Sequence, residues 1–324
     1  MSTIPAQMFA IAMNEFGDEN VLETQRMETP SPKSDEVLVK ISHTSVNPVD
    51  WKIRRGYLQQ MLPHRFPIIS GWDASGVVVK VGASVTSIKI GDRVAAYTRL
   101  PEVHSGTYAE YIALPESFVA KVSERVSSEA AAGVPLVALT AFQGLQDYYK
   151  VGKGDHVLIL NGAGGVGSFA IQFAKQLGAT VTTTTSGKNF DYVKSLGADH
   201  AIDYTKESLT SAAKKIAPHG FDFVFDGIGG THLEEAFQVM KKSAHLISIV
   251  DNPNQDLAKS KDINAQFHFV YPNGEQLKSI FESIDKGKIK MPAFEVLSVK
   301  DAIKAQQMSE SHRTKGKIIL RIDF

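Results

Sequence analysis

Apolar and polar residues follow two different patterns along this chain. Up to about residue 126, apolar positions alternate with polar ones or form short β-branched runs, most clearly at residues 37–42, 76–81 and 92–97, as expected for half-buried strands. Prolines recur between Pro30 and Pro101, where they would break long helices. This part of the chain therefore predicts a compact, mainly β domain.

From residue 156 onwards, short apolar runs alternate with stretches of helical periodicity. Val166, Ala170 and Phe173 fall on one helix face with Gly178 following as a C-cap, and a second periodic stretch covers residues 233–240. Alternating strands and helices build right-handed crossovers and a parallel sheet. The predicted strands are residues 156–160, 180–185, 200–203, 221–226, 243–250 and 265–271.

The end of the chain returns to the first pattern. A strand over residues 294–299, a helix over 301–308 and a strand over 316–324 are expected to rejoin the β domain. The predicted fold class is α/β, with one domain formed by residues 1–126 and 288–324. Residues 127–287 form the second domain, a doubly wound parallel sheet of the Rossmann type.

Composition narrows the possible functions. The 324 residues include 35 Lys plus Arg and 35 Asp plus Glu, and this zero net charge gives no support to nucleic-acid binding. The absence of cysteine excludes disulfides, thiolate nucleophiles, iron–sulfur clusters and cysteine-ligated zinc. The longest apolar stretch, residues 130–145, is shorter than a membrane helix of about 20 residues, and no secretory signal is visible. We expect a cytoplasmic protein without a membrane partner.

The strongest motif is the glycine-rich turn NGAGGVG at residues 161–167. It matches G-x-G-x-x-G between a predicted buried strand and a periodic helix, which is the context the motif requires. Such glycines permit a tight turn, approach of the backbone to a pyrophosphate and close helix packing, and the helix N-terminus binds phosphates. A glycine-rich turn without a ligand is the alternative. The predicted dinucleotide-binding residues are Gly162, Ala163, Gly164, Gly165, Val166 and Gly167.

The end of the next strand indicates which dinucleotide binds. After Thr185 the chain continues with Ser186, Gly187 and Lys188, and no acidic residue follows until Asp191. An NAD site usually has Asp or Glu there for the ribose hydroxyl, whereas Ser186 and Lys188 could bind a 2′-phosphate. We therefore predict NADPH as the cofactor; the alternative for Lys188 is an ordinary surface lysine.

Several segments together resemble the medium-chain dehydrogenase/reductase superfamily. They are SVNPVDWKIRRGY, FPIISGWDASGVVVKVG, IKIGDRV, GVGSFAIQFAKQLGA, KSLGADHAIDY and FDFVFDGIGG, and the likeness covers nearly the whole chain. The sequence is most similar to the zinc-independent branch of quinone oxidoreductases (zeta-crystallin-like) and enone reductases. The resemblance implies a GroES-like β domain, a Rossmann domain and a cleft between them that holds NADPH.

The sequence departs from the zinc alcohol dehydrogenases of the same superfamily. Their first catalytic ligand, a cysteine, falls at about Asn47, and their Gly-His-Glu segment reads Gly71-Trp72-Asp73 here. Without these ligands, alcohol oxidation would lack the metal that stabilises its alkoxide. We predict no metal site.

The resemblance places residues 47–57 beside the nicotinamide. Hydride delivery to a quinone or an α,β-unsaturated carbonyl builds negative charge on the carbonyl oxygen, which needs hydrogen-bond donors. We predict Asn47 and Tyr57 as these donors, and Asp50 as a residue that holds neighbours such as Arg54 in place. Asn47 could instead serve a turn, and Tyr57 could simply pack at a domain edge.

The same resemblance adds four cofactor residues. It places Thr140 at the nicotinamide, Asp226 and Gly227 at the ribose, and Tyr204 near the adenosine. Thr140 could instead bond its own helix backbone, and Gly227 could serve only a tight turn.

The predicted function is NADPH-dependent, zinc-independent transfer of hydride to a quinone or an α,β-unsaturated carbonyl. One alternative is a reductase of another activated double bond, such as an enoyl thioester or a haloacrylate. Another is a non-catalytic NADPH-binding protein, because fold alone does not fix function. The resemblance also implies a homodimer, paired through the exposed strand edge near residues 265–271.

Overall fold

The structure is a computed structural model that describes residues 3–311 and 314–324. Its strands are β1 Gln7–Met13, β2 Glu23–Glu28, β3 Glu36–Val46, β4 Ile68–Ile69, β5 Asp73–Val81, β6 Arg93–Tyr97, β7 Tyr111–Pro115, β8 Val119–Lys121, β9 His156–Ile159, β10 Thr180–Thr185, β11 His200–Asp203, β12 Phe221–Asp226, β13 Met240–Ser248, β14 Asn264–Phe267, β15 Phe294–Ser298 and β16 Lys317–Arg321. Its helices are α1 Pro48–Arg54, α2 Ser128–Ala132, α3 Pro135–Gln143, α4 Gly165–Gln176, α5 Phe190–Ser195, α6 Leu209–Ile216, α7 Gly230–Ala236, α8 Gln255–Ser260, α9 Gly274–Asp285 and α10 Ala302–Glu310. A short π-helix, Gly144–Tyr149, follows α3.

The first compact unit extends to Leu139 and resumes at Tyr271. Its larger sheet has the strand order β15-β16-β3-β5-β6-β8, with β7 also paired to β3, and its smaller sheet has the order β2-β1-β4. The alternating apolar residues of β3, Val37, Val39 and Ile41, enter its core. Strand β16 pairs antiparallel with β3, with Ile318 opposite Val46, so the end of the chain joins this unit.

The second compact unit is Thr140–Val270. Its six strands are all parallel, in the order β11-β10-β9-β12-β13-β14. Numbered from β9, this is the 3-2-1-4-5-6 order of a dinucleotide-binding Rossmann sheet. Its core is lined by Leu158, Phe221, Val224 and Leu246. The predicted α/β fold class, a GroES-like β domain with a Rossmann sheet, is confirmed.

One helix of the second unit ends earlier than the sequence pattern predicts. The helical pattern over residues 233–240 predicts a helix through Met240, but α7 ends at Ala236 and a short 3-10 turn precedes β13. Met240 pairs with Phe221 across the parallel ladder instead. Sheet pairing therefore overrides the local helical period there.

The division into compact units follows packing rather than sequence pattern. Helix α9 packs on β8, and the Ser123 hydroxyl donates to an Asp285 carboxylate oxygen over 2.6 Å, so α9 counts with the first unit. The domain limits at 126/127 and 287/288 mark instead where strand–helix alternation starts and stops, and they stay a prediction. Within the described residues, no helix has the length and apolarity needed to cross a membrane.

Candidate active site

Two of the predicted catalytic residues lie buried at the start of helix α1. Asn47 is the N-cap, Pro48 takes the first helical position, and the Asp50 carboxylate accepts the Asn47 backbone N–H over 2.8 Å. Proline fits there because the missing N–H has no helical partner to lose. Asn47 and Asp50 are both buried, at 0 % and 1 % exposure. The local sequence NPVD therefore fixes where these two side chains point.

The side-chain amide of Asn47 lies between a cation and an anion. Its Oδ1 accepts from the Lys317 ammonium over 2.6 Å, and its Nδ2 donates to Asp73 Oδ2 over 2.8 Å. A longer Nδ2 contact of 3.4 Å reaches the carbonyl of Ser45. The Asn47 prediction therefore depends on the second amide hydrogen, which has only this long contact.

The Asp73 carboxylate accepts further hydrogen bonds from neighbouring elements. Its Oδ2 also accepts from the Ser45 hydroxyl over 2.5 Å, and its Oδ1 accepts from the Leu136 backbone N–H over 2.7 Å in the first turn of α3. The Lys317 ammonium lies 3.7 Å from the same carboxylate and donates to the Val46 carbonyl over 3.1 Å. A buried carboxylate is stable only with such partners.

Burial changes the acidity of Asp50. Burial raises the pKa of Asp50 to about 7, although hydrogen bonds from the Asn47 N–H and the Tyr108 hydroxyl and the charge of Lys317 oppose the shift. Asp50 Oδ2 accepts the Tyr108 hydroxyl over 3.0 Å, whereas the buried Oδ1 has no partner among the described residues. Burial removes water from the carboxylate and leaves Oδ1 without a donor, and both effects disfavour the ionised form.

The expected contact between Asp50 and Arg54 is wrong. The buried Arg54 guanidinium donates to Gln306, to the carbonyl of Gly17 and to Glu310, the last over 2.9 Å. Asp50 holds Asn47 and Tyr108 instead. The two side chains lie on the same short helix but serve different networks.

Tyr57 lies apart from the buried cluster. Its side chain is 67 % exposed, and its ring contacts Trp51 edge-on at 6.2 Å between centroids. Of the three predicted catalytic residues, the structure joins Asn47 and Asp50 directly and leaves Tyr57 free to meet a ligand.

In the second unit, the glycine-rich turn joins β9 to α4. Asn161 has a φ of 66°, its backbone N–H is held by the Thr184 hydroxyl, and Gly164 is the N-cap of α4. A Cβ at Gly162 would collide with the Thr183 hydroxyl, and one at Gly167 would collide with the carbonyl oxygen of Asn161. The first and third glycines therefore allow a close approach of turn, strand and helix.

The rest of this turn fits a pyrophosphate. A Cβ at Gly164 would approach the flexible Asn161 side chain to 2.9 Å, so packing within the turn constrains this position less than it constrains Gly162 and Gly167. Ala163 is buried, while Gly165 and Val166 are half-buried at the start of α4, where the first amide groups lack helical acceptors. These residues would hold the phosphates of a dinucleotide.

The end of β10 carries cationic and hydroxyl groups. Ser186 is half-buried and receives a 3.3 Å hydrogen bond from the Asn189 amide, while Lys188 is exposed. None of the ion pairs found in residues 3–311 and 314–324 includes Lys188. Its ammonium is thus available to an anion.

The neighbouring strand β11 adds residues that the sequence reading missed. Thr185 is paired with Asp203, so Ser186 and Tyr204 follow adjacent strand ends. The Asp203 carboxylate accepts from the backbone N–H and hydroxyl of Thr205, the latter over 2.6 Å, and lies 3.8 Å from the Lys206 ammonium. These contacts hold the pKa of Asp203 below its usual value. The missing signal was strand adjacency, which a linear motif does not show.

The remaining predicted cofactor residues differ in their exposure to solvent. Tyr204 is 50 % exposed, with its ring edge-on to His232, whereas Thr140 is buried. The Asp226 carboxylate is buried and accepts from the Ile228 and Gly229 amides and from the Ser248 hydroxyl. Asp226 therefore shapes the turn that contains Gly227.

Comparisons with known proteins match this architecture. Residues 33–124 match the family "Alcohol dehydrogenase GroES-like domain", and residues 196–320 match "Zinc-binding dehydrogenase". The chain is 32% identical to a chloroplast envelope quinone oxidoreductase homolog of Arabidopsis thaliana, over 97% of this chain and 98% of the relative. The chain belongs to the medium-chain dehydrogenase/reductase family. It is accordingly an oxidoreductase.

Two further proteins indicate which members of the family this chain resembles. The chain is 36% identical to an Arabidopsis thaliana NADPH-dependent alkenal/one oxidoreductase, over 89% of this chain and 72% of the relative. The solved quinone oxidoreductase of Coxiella burnetii superposes with a TM-score of 0.88 at 31% identity, covering 98% of this chain and 100% of that one. This medium-chain dehydrogenase/reductase is therefore similar over most of its length to proteins named quinone oxidoreductase and alkenal/one oxidoreductase.

One family description mentions zinc, so the question is whether the side chains at residues 47 and 71–73 could bind a zinc ion. Asn47 offers a neutral amide whose oxygen already accepts a hydrogen bond from the Lys317 ammonium. Trp72 is buried, with its ring centroid 6.1 Å from that of Tyr97. Asp73 carries the only anionic oxygens of the set, and Lys317 lies beside them. Tetrahedral zinc sites need thiolate, imidazole or carboxylate ligands, so these residues do not fit Zn²⁺. No group of three potential ligands lies together elsewhere in the described ranges.

Proposed function

We propose that this medium-chain dehydrogenase/reductase uses NADPH, without zinc, to reduce a quinone or an α,β-unsaturated carbonyl. The main support for the proposal is the Asn47–Asp73–Lys317 cluster. In it the Lys317 ammonium donates a hydrogen bond to Asn47, which lies at about the position of the first zinc ligand in the zinc alcohol dehydrogenases. Conjugated carbonyls accept hydride without a Lewis acid because the product charge is delocalised. Relatives named for quinone and alkenal/one reduction support the same acceptor class.

The cofactor part of the proposal rests on the second unit. Gly162 to Gly167 would hold the pyrophosphate, and Ser186 and Lys188 would bind a 2′-phosphate. Lys206 lies close to the same strand ends, 3.8 Å from the Asp203 carboxylate, and its exposed ammonium would be a second cation near the 2′-phosphate. When bound, NADPH supplies a hydride. Thr140, Tyr204, Asp226 and Gly227 stay proposed cofactor residues, with Asp226 acting through its turn.

The first unit would stabilise charge and supply a proton. Tyr57, being exposed, would donate its hydroxyl to the carbonyl oxygen of an acceptor, and Asn47 would offer its second amide hydrogen. Asp50 is partly protonated near neutral pH because burial raises its pKa to about 7. A reduced conjugated carbonyl must gain one proton as well as hydride, and a buried neutral acid is a suitable store.

Assembly and location remain predictions for this chain. Strand β14 is an edge of the parallel sheet, and we infer a homodimer that pairs two such edges. We also infer a cytoplasmic location, without a nucleic-acid or membrane partner.

The test measures oxidation of NADPH by chelator-treated protein with four acceptors: an ortho-quinone, a para-quinone, an alkyl enone and a saturated aldehyde. We expect turnover with a quinone or the enone and none with the aldehyde. Turnover limited to the aldehyde would refute conjugate reduction. Tight NADPH binding without turnover of any acceptor would favour an enoyl thioester or haloacrylate reductase, or a non-catalytic protein.

A further inference from the structure

Lys317 is the only lysine buried among the described residues, at 3 % exposure. It begins β16, whose pairing sets Ile318 opposite Val46, so its side chain reaches the end of β3 where α1 starts. The ammonium meets three oxygens there: Asn47 Oδ1 at 2.6 Å, the Val46 carbonyl at 3.1 Å and Asp73 Oδ2 at 3.7 Å. A lysine is rarely buried to this degree unless it is paired.

The contacts of Asn47 determine which way its amide faces. With Oδ1 on the ammonium and Nδ2 on the Asp73 carboxylate, both ends have complementary partners. In the flipped amide, Oδ1 would face the carboxylate and Nδ2 would face the ammonium, which places like groups together. The cation and the anion thus select one of two orientations.

Charge balance supports a role for a fixed cation. Asp73 and Asp50 are both fully buried, and Lys317 is the cation that acts on each of them. With Asp50 protonated, the pair of Asp73 and Lys317 is neutral overall. An ammonium needs only oxygen acceptors, and Asn47 Oδ1, the Val46 carbonyl and Asp73 Oδ2 supply them here.

We propose that Lys317 is a positioning residue for the reduction: its ammonium is a built-in cation that fixes the orientation of the Asn47 amide. This inference rests on the proposed function for its catalytic consequence, and on the geometry alone for the Lys317–Asn47 link. The side chain acts through Asn47 and has no contact of its own with an acceptor.

The experiment is a double-variant cycle of Lys317→Met and Asn47→Ala in the full chain. We expect Lys317→Met to lower kcat about tenfold, with the Kd for NADPH, measured by nicotinamide fluorescence, unchanged within about twofold. In the Asn47→Ala background, adding Lys317→Met should change kcat by less than about twofold. Lys304→Met, which makes the same change at an exposed lysine of α10, is the matched control.

Two results would overturn the proposal. One is unchanged kcat in Lys317→Met; the other is the full tenfold loss of kcat on adding Lys317→Met to Asn47→Ala, which would mean that Lys317 does not act through Asn47. If Lys317→Met does not fold, Lys317→Gln combined with Asp73→Asn removes both charges together, and wild-type kcat in that variant would be equally decisive against it.

Urea unfolding of the same variants separates the inference from the proposed function. Absence of turnover in the wild-type protein with every acceptor would refute the function, and the unfolding cycle would then test the Lys317–Asn47 link by itself. We expect the two single losses of stability to be non-additive. Additive losses would refute the link whether or not the enzyme turns over.

Discussion

The candidate functional residues of the two units differ in how deeply they are buried and in how far apart they lie in the sequence. The cluster in the first unit is buried and brings together Asn47, Asp73 and Lys317 from distant parts of the sequence. The phosphate-binding turn of the second unit is a continuous segment, with exposed lysines at the neighbouring strand ends. A buried site depends on mutual charge compensation, whereas an open one depends on backbone shape and on groups left available to a ligand.

The largest expected effect tests backbone shape in the second unit. Gly167→Ala should lower the free energy of unfolding by about 3 kcal/mol, because its Cβ would collide with the Asn161 carbonyl oxygen. Gly164→Ala, whose Cβ meets only the Asn161 side chain, should cost far less stability but still weaken NADPH binding. Urea unfolding and NADPH titration measure the two effects. Equal stability of the two variants would show that close packing does not distinguish these glycines.

A second expected effect tests charge compensation in the first unit. The raised pKa of Asp50, about 7, means that the folded state binds a proton more tightly than the unfolded state does. Stability from this group is therefore greatest at acidic pH and falls as the pH rises towards the folded pKa. Between pH 5.5 and 8.5 the loss should be about 2 kcal/mol.

Asp50→Asn supplies the comparison for this pH dependence. The amide does not titrate, so the fall in stability between pH 5.5 and 8.5 should largely disappear in urea unfolding at the two pH values. Asp35→Asn, at an exposed carboxylate of the same unit, should keep the wild-type slope. A wild-type slope in Asp50→Asn would mean that Asp50 is ionised throughout.

The two regions also differ in how far the sequence reveals them. The glycine motif and the strand–helix alternation are local patterns, so the Rossmann sheet, its strand positions and the turn at Gly162 could be predicted closely. Lys317 is 270 positions from Asn47, and the only sequence signal for it was a lysine at the start of a terminal strand. Asp203 and Lys206 escaped for a related reason: they become neighbours of Ser186 only once β10 and β11 pair. Long-range pairing is set by tertiary packing, which local propensity does not encode.

A third prediction concerns the exposed cations of the second unit. Removing both Lys188 and Lys206 should reduce the preference for NADPH over NADH about tenfold, since partly exposed charge contacts are worth about 1 kcal/mol or less each. The ratio of kcat/KM for the two cofactors measures this. Lys153→Ala, at an exposed lysine that precedes β9 on the amino side of the sheet, should leave the ratio unchanged. An unchanged ratio in the double variant would remove both lysines from cofactor selection.

The smallest expected effect sharpens the contrast between exposed and buried donors. Tyr57 is 67 % exposed, so its hydroxyl acts in a watery setting, where a single hydrogen bond contributes about 0.5–1.5 kcal/mol. Tyr57→Phe should therefore lower kcat/KM for the best acceptor about threefold. It should leave stability unchanged, because the ring contact with Trp51 is retained. If Tyr57→Phe and Asn47→Ala both kept full kcat/KM, neither side chain would stabilise the acceptor oxygen, and the exposed and buried parts of residues 47–57 would have only structural roles.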